Sequence, residues 1–279
     1  MKAATLAISA LAVLPVAARS QDLLTLRFDP ADGAVLHRVF QAHTRLTVRD
    51  GETPRVRETA DLGGIRQVAL RRRAGESVVH VTFDSLRIRT REGAAAWREL
   101  QPAGLDSLWL QARLDPRLRV LGVRSGGPKP AWATLLELVT GVPGMALPPE
   151  PVGVGDEWPL RAELPLSGVV FEGVTGESSP SLSVRATATI DSIVARQHDT
   201  LAYLSVVGPV GDPGPVGPHG DLVDSGGLAA RLVWSTGWGG FVSAATRFTL
   251  RLRRPAASSA DRRERWMVLE TTVRQRVSS

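Results

Sequence analysis

One short segment, Asp-Ser-Gly-Gly at residues 224–227, has the residue types of a nucleophilic turn. A serine hydroxyl attacks an acyl group when a histidine removes its proton and a carboxylate orients that histidine. His80 and Asp106 precede Ser225 in the chain, so all three residue types are present. A triad works only where the three side chains meet in space, and chain order does not establish that. Acyl transfer is therefore a hypothesis that the fold must test.

The same segment resembles the nucleophile loop of chymotrypsin-like serine proteases, which place histidine, acid and serine in this order. Two features depart from that family. Val223 stands where the family has a glycine, and His80 lies in the alternating segment VVHVTF instead of an Ala-Ala-His-Cys context. We therefore favour a glycine-rich turn at residues 224–227 and assign no catalytic residue.

The histidines and carboxylates form no recognisable metal or acid–base site. His37 and His43 share one face of a predicted strand, but a metal site would need a third ligand and closer spacing. We expect both to face solvent. The chain has no Gly-x-Ser-x-Gly, no His-Glu-x-x-His and no phosphate-binding glycine loop. We therefore expect no metal, no cofactor and no enzymatic activity of the common hydrolase classes.

The absence of cysteine limits both chemistry and anchoring. None of the 279 residues is a cysteine. Disulfides, thiolate nucleophiles, thiolate metal ligands and a lipid-modified N-terminal cysteine are therefore excluded. Burial of apolar surface must hold the fold together, and a chain of this length can bury enough.

The first twenty residues are typical of a secretory signal peptide. Lys2 is followed by an apolar run from Ala3 to Val16, and residues 16–20 offer two alternative cleavage sites with small side chains. The run is shorter than the ~20 apolar residues of a membrane-spanning helix. We predict a signal peptide at 1–20, one β-rich domain at 21–279 without a transmembrane segment, and a periplasmic or extracellular location.

Arginine supplies nearly all of the positive charge. The net charge is +6, and lysine occurs only at positions 2 and 129. The arginines are spread over many segments and alternate with apolar residues, while aromatic residues are few. Nucleic-acid grooves combine clustered cations with stacking aromatics. We therefore expect a solvated sheet face and no nucleic-acid partner.

Period-two alternation of apolar and polar residues runs through most of the chain. It is clearest at 36–48, 182–194, 242–252 and 267–273. This pattern is typical of antiparallel strands with one buried and one wet face. Glycine-rich turns between the segments favour hairpins and hence a meander of about ten to twelve strands.

One segment has helical spacing instead. Residues 130–141 read PAWATLLELVTG, with proline at the start and glycine at the end. The apolar residues Trp132, Leu135, Leu136 and Val139 would share one side of a short amphipathic helix. We predict that this helix covers a face of the sheet.

The segment Pro151–Leu160, PVGVGDEWPL, resembles a motif of exported bacterial proteins of unknown function. Gly155 can adopt a positive φ, Asp156 can bond to its own turn, and Trp158 can then enter the next strand as a buried anchor. The motif is a folding device, and the resemblance implies no active site.

The predicted fold is mainly β: a many-stranded curved antiparallel sheet, or half-barrel, with one short helix inserted near 130–141. Such a sheet resembles the half-barrel of periplasmic lipoprotein carriers, where a curved sheet surrounds an apolar concavity and a helix closes it. That resemblance implies a ligand site lined by the helix residues and by strand residues of the apolar face. The candidates are Trp132, Leu135, Leu136, Val139, Phe40, Leu46, Phe248 and Leu250.

The leading hypothesis is therefore non-enzymatic binding of an apolar ligand such as a lipid or an acyl chain. The alternative is a structural or assembly module of the cell envelope that recognises protein partners. It would use sheet edges or the proline- and glycine-rich loop at 208–220.

Overall fold

The structure, a computed structural model, describes residues 23–50, 53–71, 75–100, 108–126, 139–142, 144–165, 181–211, 215–216, 221–254 and 265–278. The predicted signal peptide and the loops at 172–180 and 255–263 lie outside these ranges. The strands are β1 (Val35–Asp50), β2 (Arg55–Arg71), β3 (Ser77–Glu92), β4 (Arg98–Leu100), β5 (Trp109–Leu114), β6 (Val120–Gly126), β7 (Glu157–Pro165), β8 (Ser181–Arg196), β9 (Asp199–Pro209), β10 (Pro215–Val216), β11 (Asp221–Ser235), β12 (Gly240–Arg254) and β13 (Arg265–Val277).

All thirteen strands belong to one antiparallel sheet. Its order is β6-β5-β3-β2-β1-β13-β12-β11-β9-β8-β7, with β4 beside β3 and β10 beside β11. The sheet is open and curved, with β6 and β7 as the outermost strands of this order. The prediction of a mainly β fold with a curved antiparallel sheet is confirmed.

The meander is interrupted once. Strands β1 to β6 run outward to one edge, and β7 to β13 run back from the opposite edge. The chain therefore crosses the full width of the sheet between Gly126 and Glu157; we call residues 127–156 the crossover segment. Strand β13 then pairs with β1 over thirteen positions, from Arg38 opposite Val277 to Asp50 opposite Arg265. A single uninterrupted meander would not bring these strands together.

Alternation assigns each strand residue to one of two faces. On β1 the even positions are buried, as at Leu36 and Phe40, or half-buried, as at Leu46, whereas the odd positions His43 and Arg45 are exposed. The register carries this assignment across the sheet, because directly opposed residues share a face. We call the face of Phe40 the inner face and the face of His43 the outer face.

Three segments cover one end of the inner face. Leu24 forms a two-bond bridge with Val152, and the backbone N–H of Phe28 donates to Pro116 in the β5–β6 turn. Both the backbone N–H and the carbonyl of Leu147 bond to Arg117. The covering side chains are buried against the sheet: Leu26, Phe28, Leu118, Val139, Val142, Met145, Leu147 and Val152.

Only the end of the predicted helix lies within the described residues. Val139 and Thr140 are helical, and Val139 is 2% exposed in the core. Gly141 ends the helix with a φ of +82°, and a Cβ there would lie 3.2 Å from Leu232 on the inner face. Trp132, Leu135 and Leu136 lie outside the described residues. The helical residues in the described ranges do not have the length and hydropathy of a membrane crossing.

The Val-Gly-Asp-Glu-Trp turn has the conformation that its residues indicate. Gly155 has a φ of +90°, and the Asp156 carboxylate accepts a hydrogen bond of 2.7 Å from the backbone of Gly153. Trp158 is 9% exposed, and its indole N–H donates to the carbonyl of Ala146 at 2.8 Å. The turn therefore ties the crossover segment to the start of β7.

Asp199 joins two neighbouring hairpin turns. Its carboxylate accepts hydrogen bonds from the Ser235 hydroxyl at 2.6 Å, the backbone N–H of Gly237 at 2.7 Å and the Thr236 hydroxyl at 3.1 Å. Burial raises the pKa of Asp199, but these bonds and one from Thr200 outweigh it and hold the pKa below its ordinary value. The turns are therefore held by the ionised carboxylate.

We expect Asp199→Ala to lower the free energy of unfolding by about 1 to 3 kcal/mol at neutral pH, because several donors to a charged acceptor lose their partner. Since the folded pKa is depressed, this stabilisation is present above the ordinary aspartate pKa and is lost as the pH falls through the folded value. Urea unfolding at neutral and acidic pH measures both effects. Asp191→Ala is the control, since the exposed Asp191 accepts one bond, from Ser205. Equal costs for the two variants would contradict the assignment.

Candidate functional site

The middle of the inner face is only half-buried. Six residues form two rows of three across adjacent strands β1, β13 and β12. We call them the inner belt: Ala42, Val273 and Thr246 in the lower row, and Thr44, Thr271 and Phe248 in the upper row. Their side chains face the same side as the core but are not fully covered by the described residues.

Buried residues border the inner belt on both sides. Below it, Phe40, Gln275 and Ala244 form the next row, and all three are at most 5% exposed. Above it, Leu269 and Leu250 are buried while Leu46 on β1 is half-buried. The belt is therefore an interruption in an otherwise closed apolar face.

The crossover segment approaches the belt from one side. The hydroxyl of Thr246 donates to the carbonyl of Gly141 at 3.3 Å, directly after the helical residues. Thr44 and Thr271 share a hydroxyl–hydroxyl bond of 3.3 Å across the upper row. The belt thus combines three apolar side chains with three threonines, whose hydroxyls have partners of their own.

The structure places the predicted site residues on one face but at different depths. Phe40 and Leu250 are 3% and 1% exposed and belong to the closed core, whereas Leu46 and Phe248 are half-buried beside it. The Phe40 ring lies 6.1 Å from the ring of Phe83 and directly over Gly63, where a Cβ would come within 2.6 Å of it. Val139 belongs to the same core. A ligand-binding role for these residues remains a prediction.

One group on the inner face was not among the predicted site residues. Arg38 is 2% exposed, and its Nε donates to Oε1 of Gln67 at 3.1 Å. Its Nη1 and the Oε1 of the nearby Gln275 have no hydrogen-bond partner among the described residues. Burial lowers the pKa of Arg38 to about 10, so the guanidinium stays charged at neutral pH. The sequence placed Arg38 at an even position of β1, but it did not indicate how deeply the side chain would be buried.

A second charged group lies beside the belt. Asp61 on β2 is opposite Ala42, on the inner face. Its Oδ1 is buried and has no hydrogen-bond partner in the part of the chain that the structure describes. Burial raises the pKa of Asp61 to about 6. The carboxyl is therefore ionised at neutral pH in surroundings that favour its neutral form.

The outer face is rich in arginine. An open hollow of about 520 Å³ is lined by residues that include His43, Arg87, Arg89 and Arg274. Glu58, 8% exposed, forms ion pairs here with Arg45 and Arg91. The exposed arginines are spaced along the strands, as expected of a solvated face.

The structure does not bring the possible triad together. Ser225 lies on β11 and His80 on β3, which are five strands apart in the sheet order. At ~4.8 Å per strand this separation is about 24 Å along the sheet. The ring of His80 instead lies 5.9 Å from that of Trp109, and Asp106 lies outside the described residues.

The histidines have other partners or face solvent. His37 lies 3.1 Å from the carboxylate of Asp84, an exposed pair on the outer face. Within the described ranges, no three histidine, aspartate or glutamate side chains are placed to hold a metal ion.

We expect Asp61→Asn to raise the free energy of unfolding by about 1 to 3 kcal/mol at neutral pH, because it removes a half-buried charge. The folded pKa lies above the ordinary value. The destabilisation of the folded state by ionised Asp61 therefore grows as the pH rises from about 4 to about 6 and is constant above that. Urea unfolding of both proteins at pH values below 4 and above 7 measures the difference. A stabilisation that is the same at both pH values would contradict a buried, titrating Asp61.

Comparisons with known proteins give a likeness of fold but no match in sequence. No protein-family model matches this chain, and no curated protein matches it in sequence. A solved structure titled "Lipid-protein interactions in lipovitellin" is similar over 89% of this chain, with a TM-score of 0.51 and 12% sequence identity. The likeness covers 25% of the lipovitellin chain. This chain is therefore similar in fold to about a quarter of a protein whose structure was described for its interactions with lipid.

Proposed function

We propose that this protein binds an apolar ligand, such as a lipid or an acyl chain, on the inner face of its half-barrel without catalysing a reaction. The observation that carries the proposal is the inner belt, a half-buried strip of apolar and threonine side chains inside a curved sheet. Exposed apolar surface in a concavity is the usual basis of small-molecule binding. Ala42, Phe248 and Val273 would contact the ligand.

The dimensions of the inner face fit an extended chain. From Phe40 to Val48 the inner positions of β1 follow one another over eight residues, which span about 27 Å at ~3.4 Å per residue. Leu46 and Val48 continue the half-buried strip above the belt. The crossover segment at Gly141 would then close one side of the ligand, as in the half-barrel carriers that the sequence resembles.

The likeness to lipovitellin supports the same proposal in general terms. The printed subject of that structure is the interaction of protein with lipid. A curved sheet with one apolar face is suited to that task because alternation supplies a continuous apolar lining.

We further propose export to the periplasm or the extracellular space. Its support is the charged residue, apolar run and small residues at positions 1–20.

We expect Phe248→Ala to weaken binding of a long-chain fluorescent alcohol about tenfold, because part of the apolar contact in the belt is lost. Delipidated protein would be titrated by fluorescence, and native mass spectrometry of protein from its own host would look for bound lipid. Val207→Ala is the control. Val207 is 62% exposed on the outer face of β9, and its loss should not change binding. Absence of both bound lipid and probe binding would end the proposal.

A second function is favoured by one edge of the sheet. Strand β6 exposes Val120, Leu121 and Val123 by 44%, 45% and 36%, and no described strand pairs with its outer side. An exposed apolar edge can accept a strand from another chain. The other outermost strand, β7, contains prolines at 159 and 165, which are unsuited to ladder bonds. The alternative is therefore an envelope module that binds a partner through β6.

We expect the double variant Leu121→Lys and Val123→Lys to abolish a stable crosslinked complex in cells if this second function is correct, since charges on an edge strand oppose strand addition. Binding of the fluorescent alcohol should be unchanged. A complex that survives the double variant would exclude β6 as the docking edge.

A further inference from the structure

Arg38 is a buried cation without a neutralising partner among the described residues. It is 2% exposed, and its one hydrogen bond, to Gln67, neutralises no charge. A buried charge that is not paired costs several kcal/mol in real proteins. Evolution rarely retains such a group for stability alone, because an apolar residue of similar volume would serve the core better.

The buried carboxylates of Glu58 and Asp115 form ion pairs with arginines other than Arg38. Glu58 lies on the outer face with Arg45 and Arg91. Asp115 bonds to the Nε of Arg119 at 2.6 Å in the β5–β6 turn. The carboxylate of Asp61 is on the inner face, but it lies opposite Ala42, four residues along β1 from Arg38. At ~3.4 Å per residue that is about 13 Å.

The polar atoms around Arg38 have unused hydrogen-bonding capacity. Gln67 and Gln275 lie diagonally on either side of it, opposite Leu36 and Phe40 of β1. The Nη1 of Arg38 and the Oε1 of Gln275 have no hydrogen-bond partner within the described ranges. A carboxamide can present either its oxygen or its NH₂ group, so Gln275 can turn a donor toward an anion. A guanidinium is the group best suited to bind carboxylate or phosphate oxygens in pairs.

We propose that Arg38, Gln67 and Gln275 bind the carboxylate or phosphate head of an amphipathic ligand whose apolar chain lies along the inner belt. The inference deepens the proposed function and rests on it. Arg38 is one row below Phe40 and two rows below Ala42, so head and chain would be in line along β1. In the row between, Gly63 and Ala244 contribute almost no side chain. Phe40 is therefore the large apolar side chain of this row between the belt and the guanidinium.

The test compares ligands that differ only in the head. Delipidated protein would be titrated with palmitic acid, with hexadecanol and with inorganic phosphate. We expect the acid to bind about ten to a hundred times more tightly than the alcohol, because only the acid can bond to the guanidinium. Equal affinity for acid and alcohol would overturn the Arg38 inference while leaving the apolar site intact. If neither the acid nor the alcohol bound, the proposed function itself would be excluded. If inorganic phosphate bound as tightly as the acid, the site would be one for free anions instead.

The variant Arg38→Met tests the residue. We expect it to lose the preference for acid over alcohol while the unliganded protein becomes at least as stable in urea, because an unpaired buried charge is removed. Arg66→Met is the matched control: Arg66 is exposed on the outer face beside Gln67, and both acid binding and stability should stay unchanged.

A carboxylate of the chain itself is the competing partner for Arg38. Glu137 is an acid of the crossover segment that lies outside the described ranges, two residues before the buried Val139. If Arg38→Met and Glu137→Gln each destabilise the protein, and the double variant costs no more than either one, the guanidinium has an internal partner and the inference fails. If Glu137→Gln leaves stability and acid binding unchanged, the inference stands. Should Arg38→Met fail to fold, the comparison of acid with alcohol on the unaltered protein still decides.

Discussion

The structure depends on covering the apolar face of an open sheet. The thirteen described strands place most of their buried apolar residues on one side, and a sheet with two free ends cannot close over that side by itself. The apolar face is partly covered because the chain leaves the sheet after β6, crosses the inner face and joins the opposite edge as β7. Burial of Val142, Met145 and Leu147 along this path provides part of the core. Because the chain returns from the far edge, its last strand arrives beside its first.

The pairing of β1 with β13 follows from that crossing and makes the centre of the sheet its most non-local part. Arg38 and Val277 are opposite each other although almost the whole chain separates them. Contacts of this kind carry a large loop-closure cost and form late. The inner belt and the buried Arg38 both lie on these central strands. The strands whose pairing is most non-local in sequence are therefore those that carry the candidate site.

Alternation in the sequence predicted which face each residue would occupy, but not how deeply it would be buried. Arg38 and Phe248 occupy inner positions that could be read from the period of two, yet the arginine is fully buried and the phenylalanine is not. Depth depends on what covers the face. The alternation of Leu24, Leu26 and Phe28 does not indicate which part of the sheet they cover, and residues 144–152 have no such alternation. The Gly155–Trp158 turn was predictable because each residue acts locally. The conformation of Leu118 was not predictable. Its φ of +62° costs about 1 to 2 kcal/mol, and burial of its side chain to 1% exposure offsets that cost.

The polar residues of the inner face argue for a ligand with two chemical ends. A wholly apolar cargo would need only the belt, and replacing Arg38 with an aliphatic residue would then improve the core at no cost to binding. A structural protein without a ligand would gain in the same way, since neither Gln67 nor Gln275 compensates a buried positive charge. With no carboxylate partner among the residues that the structure describes, the buried guanidinium is expected to lower the stability of the unliganded fold. Such a cost is typical of sites whose partner arrives from outside. The balance between this destabilisation and the charge of a bound head is what would make binding selective.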